Sequence, residues 1–170
     1  ARSVTHRMLN FARRMEPQME ATNVNDVVRE SYSFIEKEAL FNNIAVQLDL
    51  DPEVPAVSTD RSQLQQVFLN LLDNALDATG KGGRIWITSH VDSSWITVKV
   101  TDSGPGVPAE LAGRIFDPFF TTKDPGQGTG LGLSISHSIM DRLGGSLELE
   151  NKPGQGATFV VRIPNLPAGA

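Results

Sequence analysis

Three places in this chain carry residue types and spacings that could do chemistry. The first is a helical stretch in which Gln63, Gln66, Asn70, Asn74 and Asp77 recur. At about 100° per residue they share one narrow stripe beside the apolar face. A solvated face is more often Glu, Lys and Arg, because Asn is a poorer helix former by roughly a few tenths of a kcal/mol. Two asparagines one turn apart therefore suggest amides aimed at something. Amide oxygens are hard ligands suited to a magnesium ion that keeps most of its waters and bridges to phosphate. An ordinary polar helix face reads the same way when taken alone.

The second is Asp102, followed by Ser-Gly-Pro-Gly106. Period-two counting puts it on the side of Ile96, Val98 and Val100, where a carboxylate without partners is costly to bury. The glycines after it let backbone turn sharply and approach a ligand, although Asp also starts ordinary turns. The third is Gly126-Gln-Gly-Thr-Gly-Leu-Gly132-Leu133, which runs straight into a helix. A helix start offers unpaired N–H groups and a positive dipole end, a cradle for phosphate. The run matches neither G-x-x-x-x-G-K-[ST] nor G-x-G-x-x-G, which disfavours P-loop and dinucleotide-fold readings. A flexible glycine linker fits badly, because a periodic helix begins at once.

The elements that must hold these residues are legible from periodicity. Asn23 can cap a helix over 24–40, with Val24, Val27, Val28, Ser31 and Ile35 on one side. Ile44, Val46, Leu48 and Leu50 alternate as a strand. Residues 60–79 give the strongest helical pattern: Leu64, Val67, Phe68, Leu71, Leu72, Ala75 and Leu76 recur at spacings of three and four. A hairpin of strands 84–91 and 94–101 turns at Asp92-Ser93. A short helix is expected near 108–113, a longer one over 131–143 ending at Gly144-Gly145, and two last strands at 146–150 and 157–163. Helices and strands in this order suggest a two-layer α/β sandwich. At the start, Ala1, Val4, Met8, Phe11 and Met15 form a two-heptad stripe stopped by Pro17. That stripe suits either a helix packed on its own domain or half of a helical dimer seam.

Length and composition exclude several classes. The chain has 170 residues, 39% hydrophobic and 21% charged, which is ordinary globular composition of about one domain. Net charge is −5, against a generic nucleic-acid binder. There is no cysteine, hence no disulfide, thiolate metal site or cysteine nucleophile. No apolar run approaches the roughly 20 residues that cross a bilayer, and the N-terminus carries no secretory signal. Beginning at Ala1 rather than Met, the chain reads as a piece of a larger protein.

Taken together, the motifs resemble one family. Asn70-Leu-Leu-Asp-Asn74-Ala, Asp102-x-Gly-x-Gly106, Phe116-Asp-Pro-Phe-Phe-Thr-Thr-Lys123, Gly128-Thr-Gly-Leu-Gly132-Leu133 and Gly154-x-Gly-Ala-Thr158 follow the order and spacing of the catalytic, ATP-binding domain of bacterial sensor histidine kinases. The resemblance covers roughly residues 24–163. It is nearest to nitrogen-regulation-type members with a short Phe-Phe-Thr-Thr-Lys lid. Val4-Thr-His-Arg-Met-Leu-Asn-Phe-Ala-Arg13 resembles the end of the second dimerisation helix, which divides the chain into 1–18 and a catalytic domain over 19–170.

The resemblance implies the Bergerat ATP-binding fold, a mixed sheet of about five strands covered on one face by three helices. It implies ATP and Mg2+ as cofactors, with Asn74 on the metal and Asn70 touching metal or phosphates. Asp102 would accept a hydrogen bond from the adenine amino group, with Gly104, Gly106 and Val107 along the base and Thr158 supporting it through its hydroxyl. Asp77 corresponds to an acidic residue that related ATPases carry after the asparagine. Residues 118–128, including Phe119, Thr121, Thr122 and Lys123, would form a mobile lid, with Lys123 a phosphate contact. Gly128, Thr129, Gly130, Leu131, Gly132 and Leu133 would hold the phosphates. The implied activity is transfer of the ATP γ-phosphate to a histidine on the protein's own dimerisation helix, and from there to a response regulator, in the bacterial cytoplasm without nucleic-acid or membrane contact from this segment.

Such acceptor histidines are followed by an acidic residue. His6 precedes Arg7, His90 precedes Val91 and His137 precedes Ser138, so the acceptor is expected outside this segment. Gyrase-, chaperone- and mismatch-repair-type ATPases of the same superfamily are an alternative. They place a glutamate base where Asn70 stands, and an amide cannot take a proton from water. A non-catalytic nucleotide-binding interaction module is the other alternative.

Overall fold

Two polar side chains start the long helices. Asn23 accepts from the Asp26 N–H (3.3 Å) and opens α1 (Val24–Phe41); Asp60 accepts from the Gln63 N–H (3.1 Å) and opens α2 (Arg61–Thr79). Each cap satisfies an N–H that the first helical turn leaves without a partner. A third helix, α3, spans Gly132–Arg142. These come from a computed structural model that describes residues 16–120, 132–151 and 155–168. The two-heptad stripe of residues 1–15, with His6, lies outside the described residues, as do 121–131.

The strands are β1 (Glu20–Asn23), β2 (Ala45–Asp49), β3 (Ala56–Thr59), β4 (Arg84–Val91), β5 (Trp95–Asp102), β6 (Ser146–Asn151) and β7 (Ala157–Pro164). Five of them form one mixed sheet in the order β2-β4-β5-β7-β6, with β2 parallel to β4 and the other pairs antiparallel. All three helices belong to the layer on one face. Helix α2 is central: it packs on both other helices and over β5. Its Leu64, Val67, Phe68, Leu71 and Leu72 are buried against inward residues of the sheet such as Ile85, Ile87, Ile96, Val98 and Ile163. Strict alternation on β5, with every second residue buried, puts Asp102 in the core layer and Thr101 on the opposite face.

The expected five strands and three helices are all present, with ends shifted by a residue or so. Two things differ. Residues 108–113 make no α-helix. Their backbone bonds run from Leu111 to Pro108, from Ala112 to Ala109 and from Arg114 to Leu111, a chain of tight turns rather than four-residue helical steps. Second, β1 and β3 pair antiparallel as a separate two-stranded sheet that periodicity did not reveal. Each has four residues, too few to show a pattern, and β3 follows the proline-bearing stretch 52–55.

A buried polar network ties α1 to the sheet. The Ser89 hydroxyl donates to Asn25 Oδ1 (2.8 Å), Asn25 Nδ2 donates to the Asp51 carbonyl (2.8 Å), and the Asp51 N–H donates to Ser89 Oγ (2.8 Å). At the β4–β5 turn, Asp92 accepts from the Trp95 and Ser94 N–H groups (2.8 Å each), which hold its carboxyl below the ordinary range.

Candidate functional site

Asp102 closes β5 with only 2% of its surface exposed. It lies opposite Ile85 of β4 and Ala157 of β7. The Gly104 N–H donates to its Oδ1 (2.9 Å), and the Ala157 N–H donates to the same carboxylate. Burial pushes its carboxyl above the ordinary carboxylate range, while those two N–H bonds pull the other way. A carboxylate offers about four lone-pair sites, so two backbone donors leave acceptor capacity for a ligand donor.

The backbone round this carboxylate is close-packed. A Cβ at Gly104 would stand 2.5 Å from the Ala78 carbonyl oxygen, so the end of α2 abuts the loop after Asp102. Gly156 has φ +97°, and a Cβ there would sit 2.1 Å from the Asp102 carbonyl oxygen. Neither position admits a side chain. One expected contact is not assembled. The Thr158 hydroxyl lies 2.9 Å from that of Thr101, on the sheet face opposite Asp102. Successive strand residues alternate faces, so the residue on the aspartate's side is Ala157, acting through its N–H.

One of the α2 amides, Asn70, meets α3. Asn70 Nδ2 donates to the Gly132 carbonyl (3.2 Å) and to Ser136 Oγ (3.0 Å). A carbonyl can only accept, so the nitrogen of this amide must face α3 and its oxygen Oδ1 must face away. Asn74 stands half-buried one turn along, and Asp77 is exposed a turn further. Gly132 and Leu133 are half-buried at the described start of α3. The structure therefore brings Asn70 together with Gly132, and the end of α2 together with the loop after Asp102.

The wall beyond Gly106 is pinned by a residue that the sequence did not single out. Asn151, at the end of β6, accepts from the Val107 N–H (2.9 Å) and donates to the Val107 carbonyl, as a neighbouring strand would. Phe116 packs its ring on His137 (5.0 Å between centroids) and edge-on to Phe159 (6.4 Å). Phe119 is 66% exposed with φ +66°, and the Arg114 guanidinium lies over the Phe120 ring. Thr121, Thr122, Lys123, Gly128, Thr129, Gly130 and Leu131 lie outside the described residues. Three contributors escaped sequence reading: Asn151, Ser136 and Ala157. The only signal available for Ser136 was its place one turn after Gly132 on a helix.

The donor set suits a magnesium–nucleotide. Among the described residues no group of three or more His, Asp or Glu side chains could cage a metal ion. Magnesium needs no such cage where phosphates and waters supply most of its ligands and a protein amide oxygen or two complete them. Asn70 Oδ1 and the Asn74 amide are of that kind.

Residues 59–167 match the family described as histidine kinase-, DNA gyrase B- and HSP90-like ATPase. The chain is 32% identical to the sensor histidine kinase ZraS of Escherichia coli (strain K12), over 95% of its own length and 34% of that protein. It spans between about a fifth and a third of the length of the curated relatives it matches. The catalytic domain of histidine kinase ThkA superposes with a TM-score of 0.80 and 40% identity, covering 88% of this chain and 99% of that one. ThkA in complex with the response regulator protein TrrA superposes at 0.82 with 35% identity, over 98% of this chain and 47% of that one. The chain belongs to the histidine kinase-, DNA gyrase B- and HSP90-like ATPase family, as the ATP-binding catalytic domain of a histidine kinase.

Proposed function

We propose that this domain holds Mg–ATP between the loop after Asp102, the Asn70–Asn74 stripe of α2 and the start of α3, and presents the γ-phosphate to a histidine on its protein's own dimerisation helix. The observation that carries this is Asp102: a carboxylate 2% exposed, with acceptor capacity to spare, beside two glycine positions that tolerate no side chain. Adenine offers an amino group at that edge where guanine offers a carbonyl oxygen. A carboxylate acceptor therefore favours ATP over GTP.

Phosphoryl transfer asks mainly for orientation and charge neutralisation. Magnesium, when bound, supplies part of that neutralisation. This chain's residues fix the base through Asp102, carry the Asn70 and Asn74 oxygens toward the phosphates, and keep α2 and α3 in register. A nitrogen of the acceptor histidine then forms a bond to the γ-phosphorus as the bond to the β–γ bridging oxygen breaks and ADP leaves. The phosphohistidine is in turn the donor to a response regulator, the kind of partner seen with ThkA. Residues 1–18 are read as the end of the second dimerisation helix, and the cytoplasm as the compartment. No described helix is long and apolar enough to cross a membrane.

The described histidines support an acceptor outside this segment. His90 is on the sheet face away from the helices, its side chain 73% exposed and 3.9 Å from Asp51; His137 stacks on Phe116 and lies 3.6 Å from Asp141. Neither is followed by an acidic residue. Incubated with labelled ATP, the segment is expected to form little phosphohistidine. Given the dimerisation helices of its own protein, it should label them, and Asn74→Ala should abolish this. Rapid ATP hydrolysis without an acceptor would instead place it with the hydrolytic relatives.

A further inference from the structure

We propose that Ser136 is a positioning residue for the magnesium side of the site: its hydroxyl, with the Gly132 carbonyl, locks the Asn70 amide so that Oδ1 faces the metal and phosphates. Ser136 has 0% of its surface exposed, so its hydroxyl can find partners only inside the protein. The partner it has is Asn70 Nδ2, at 3.0 Å and 66 residues away in sequence. An asparagine amide free to rotate by 180° about its last bond presents nitrogen as readily as oxygen. A nitrogen turned toward a cation and its phosphates is useless to the cation. The Gly132 carbonyl removes that freedom, because it can only accept and so must meet Nδ2; Ser136 Oγ takes the second hydrogen of the same nitrogen and fixes where the amide lies. The two contacts divide the work. The Gly132 carbonyl belongs to backbone that continues the glycine-rich run, whereas Ser136 lies a full turn deeper, on the rigid body of α3. Ser136 thus anchors the position of the amide to the body of α3, while the Gly132 carbonyl sets which of its atoms faces that helix. It touches neither substrate nor metal.

This inference rests on the proposal that magnesium joins the nucleotide at Asn70 and Asn74, and one experiment separates the two. ADP affinity is measured by calorimetry with Mg2+ and with EDTA, for the chain as given and for Ser136→Ala, Asn70→Ala and the double variant. Loss of one neutral hydrogen bond predicts that Ser136→Ala weakens binding with Mg2+ by roughly 3- to 10-fold. Binding in EDTA should stay within about twofold, since no metal then reads the amide's orientation. In the Asn70→Ala background the serine substitution should cost nothing further, the signature of two residues acting through one contact. Ser136→Cys keeps the volume with a much weaker acceptor and should reproduce the loss, so a packing defect peculiar to alanine cannot imitate it. If Ser136→Ala weakens binding equally with and without Mg2+, or adds to Asn70→Ala, or leaves Mg2+-dependent affinity intact, the positioning role is overturned. If Mg2+ does not change the affinity of the unsubstituted chain, the metal reading itself fails, and this inference with it.

Discussion

Replacing Asp102 by asparagine exchanges one oxygen for an NH2 group and leaves the volume nearly unchanged. In the folded protein Oδ1 of that side chain takes the Gly104 N–H at 2.9 Å, a bond an amide oxygen can keep. The burial that raises the Asp102 carboxyl no longer acts on a neutral amide, and its single oxygen can at worst lose the Ala157 N–H, so Asp102→Asn should cost no more than about 1–3 kcal/mol of stability. Nucleotide binding is another matter. The acceptor facing the adenine amino group becomes weaker, or is replaced by a second donor. A hydrogen bond to a charged group is worth about 1.5–3 kcal/mol, so ATP affinity should fall roughly 10- to 150-fold. GTP binding, already lacking that bond, should change far less, so the ATP-over-GTP preference collapses. Asp102→Ala is the rougher version, because it also strips the Gly104 and Ala157 N–H groups of their acceptor at about 1–3 kcal/mol each. Calorimetry with both nucleotides and a thermal melt of each variant decide the matter. If Asp102→Asn binds ATP within twofold of the unsubstituted chain while melting normally, Asp102 does not hold the base.

Acidification should mimic that change. The folded carboxyl of Asp102 titrates above the ordinary range, so ADP affinity falls as pH drops through that raised value, while Asp102→Asn shows a flat profile over the same span. The sign for stability is opposite: a raised folded pKa means the fold holds this proton more tightly, so the contribution from protonated Asp102 is lost as pH rises past the ordinary carboxylate value toward the raised one. Gly104→Ala forces a Cβ against the Ala78 carbonyl oxygen at 2.5 Å, and a chemical melt should show it less stable by about 1–3 kcal/mol; an unchanged midpoint would mean α2 does not abut the loop as described. Asn151→Ala removes both side-chain bonds to Val107. Amide exchange at Val107 should accelerate and ADP affinity fall by roughly 3- to 10-fold, with unaltered Val107 exchange counting against the pin.

Local physics made much of this chain readable before any fold was known. The α2 pattern from Leu64 to Leu76 is a covalent periodicity; once it is helical, Asn70 and Asn74 must share a face whatever surrounds them. The same holds for Asp102: alternation with Ile96, Val98 and Val100 places it inward, and the structure finds it buried. The caps Asn23 and Asp60 act within three residues of themselves, although only Asn23 was read as a cap from sequence.

What periodicity could not supply are relations across long loops. The pairing of β1 with β3 joins two four-residue strands too short to announce themselves. The turns at 108–113 replaced a helix because propensity alone does not hold so short a segment helical. Thr158 was expected to support the base with its hydroxyl. Register with β5 sends that hydroxyl to the far face and leaves the Ala157 N–H on Asp102's side, a one-residue distinction that only strand pairing decides. Asn151 on Val107 and Ser136 on Asn70 are meetings of residues 44 and 66 apart. Nothing local to a serine in mid-helix or an asparagine at a strand end records such a partner, because hydrogen-bond geometry is set by where the sheet and helices finally lie.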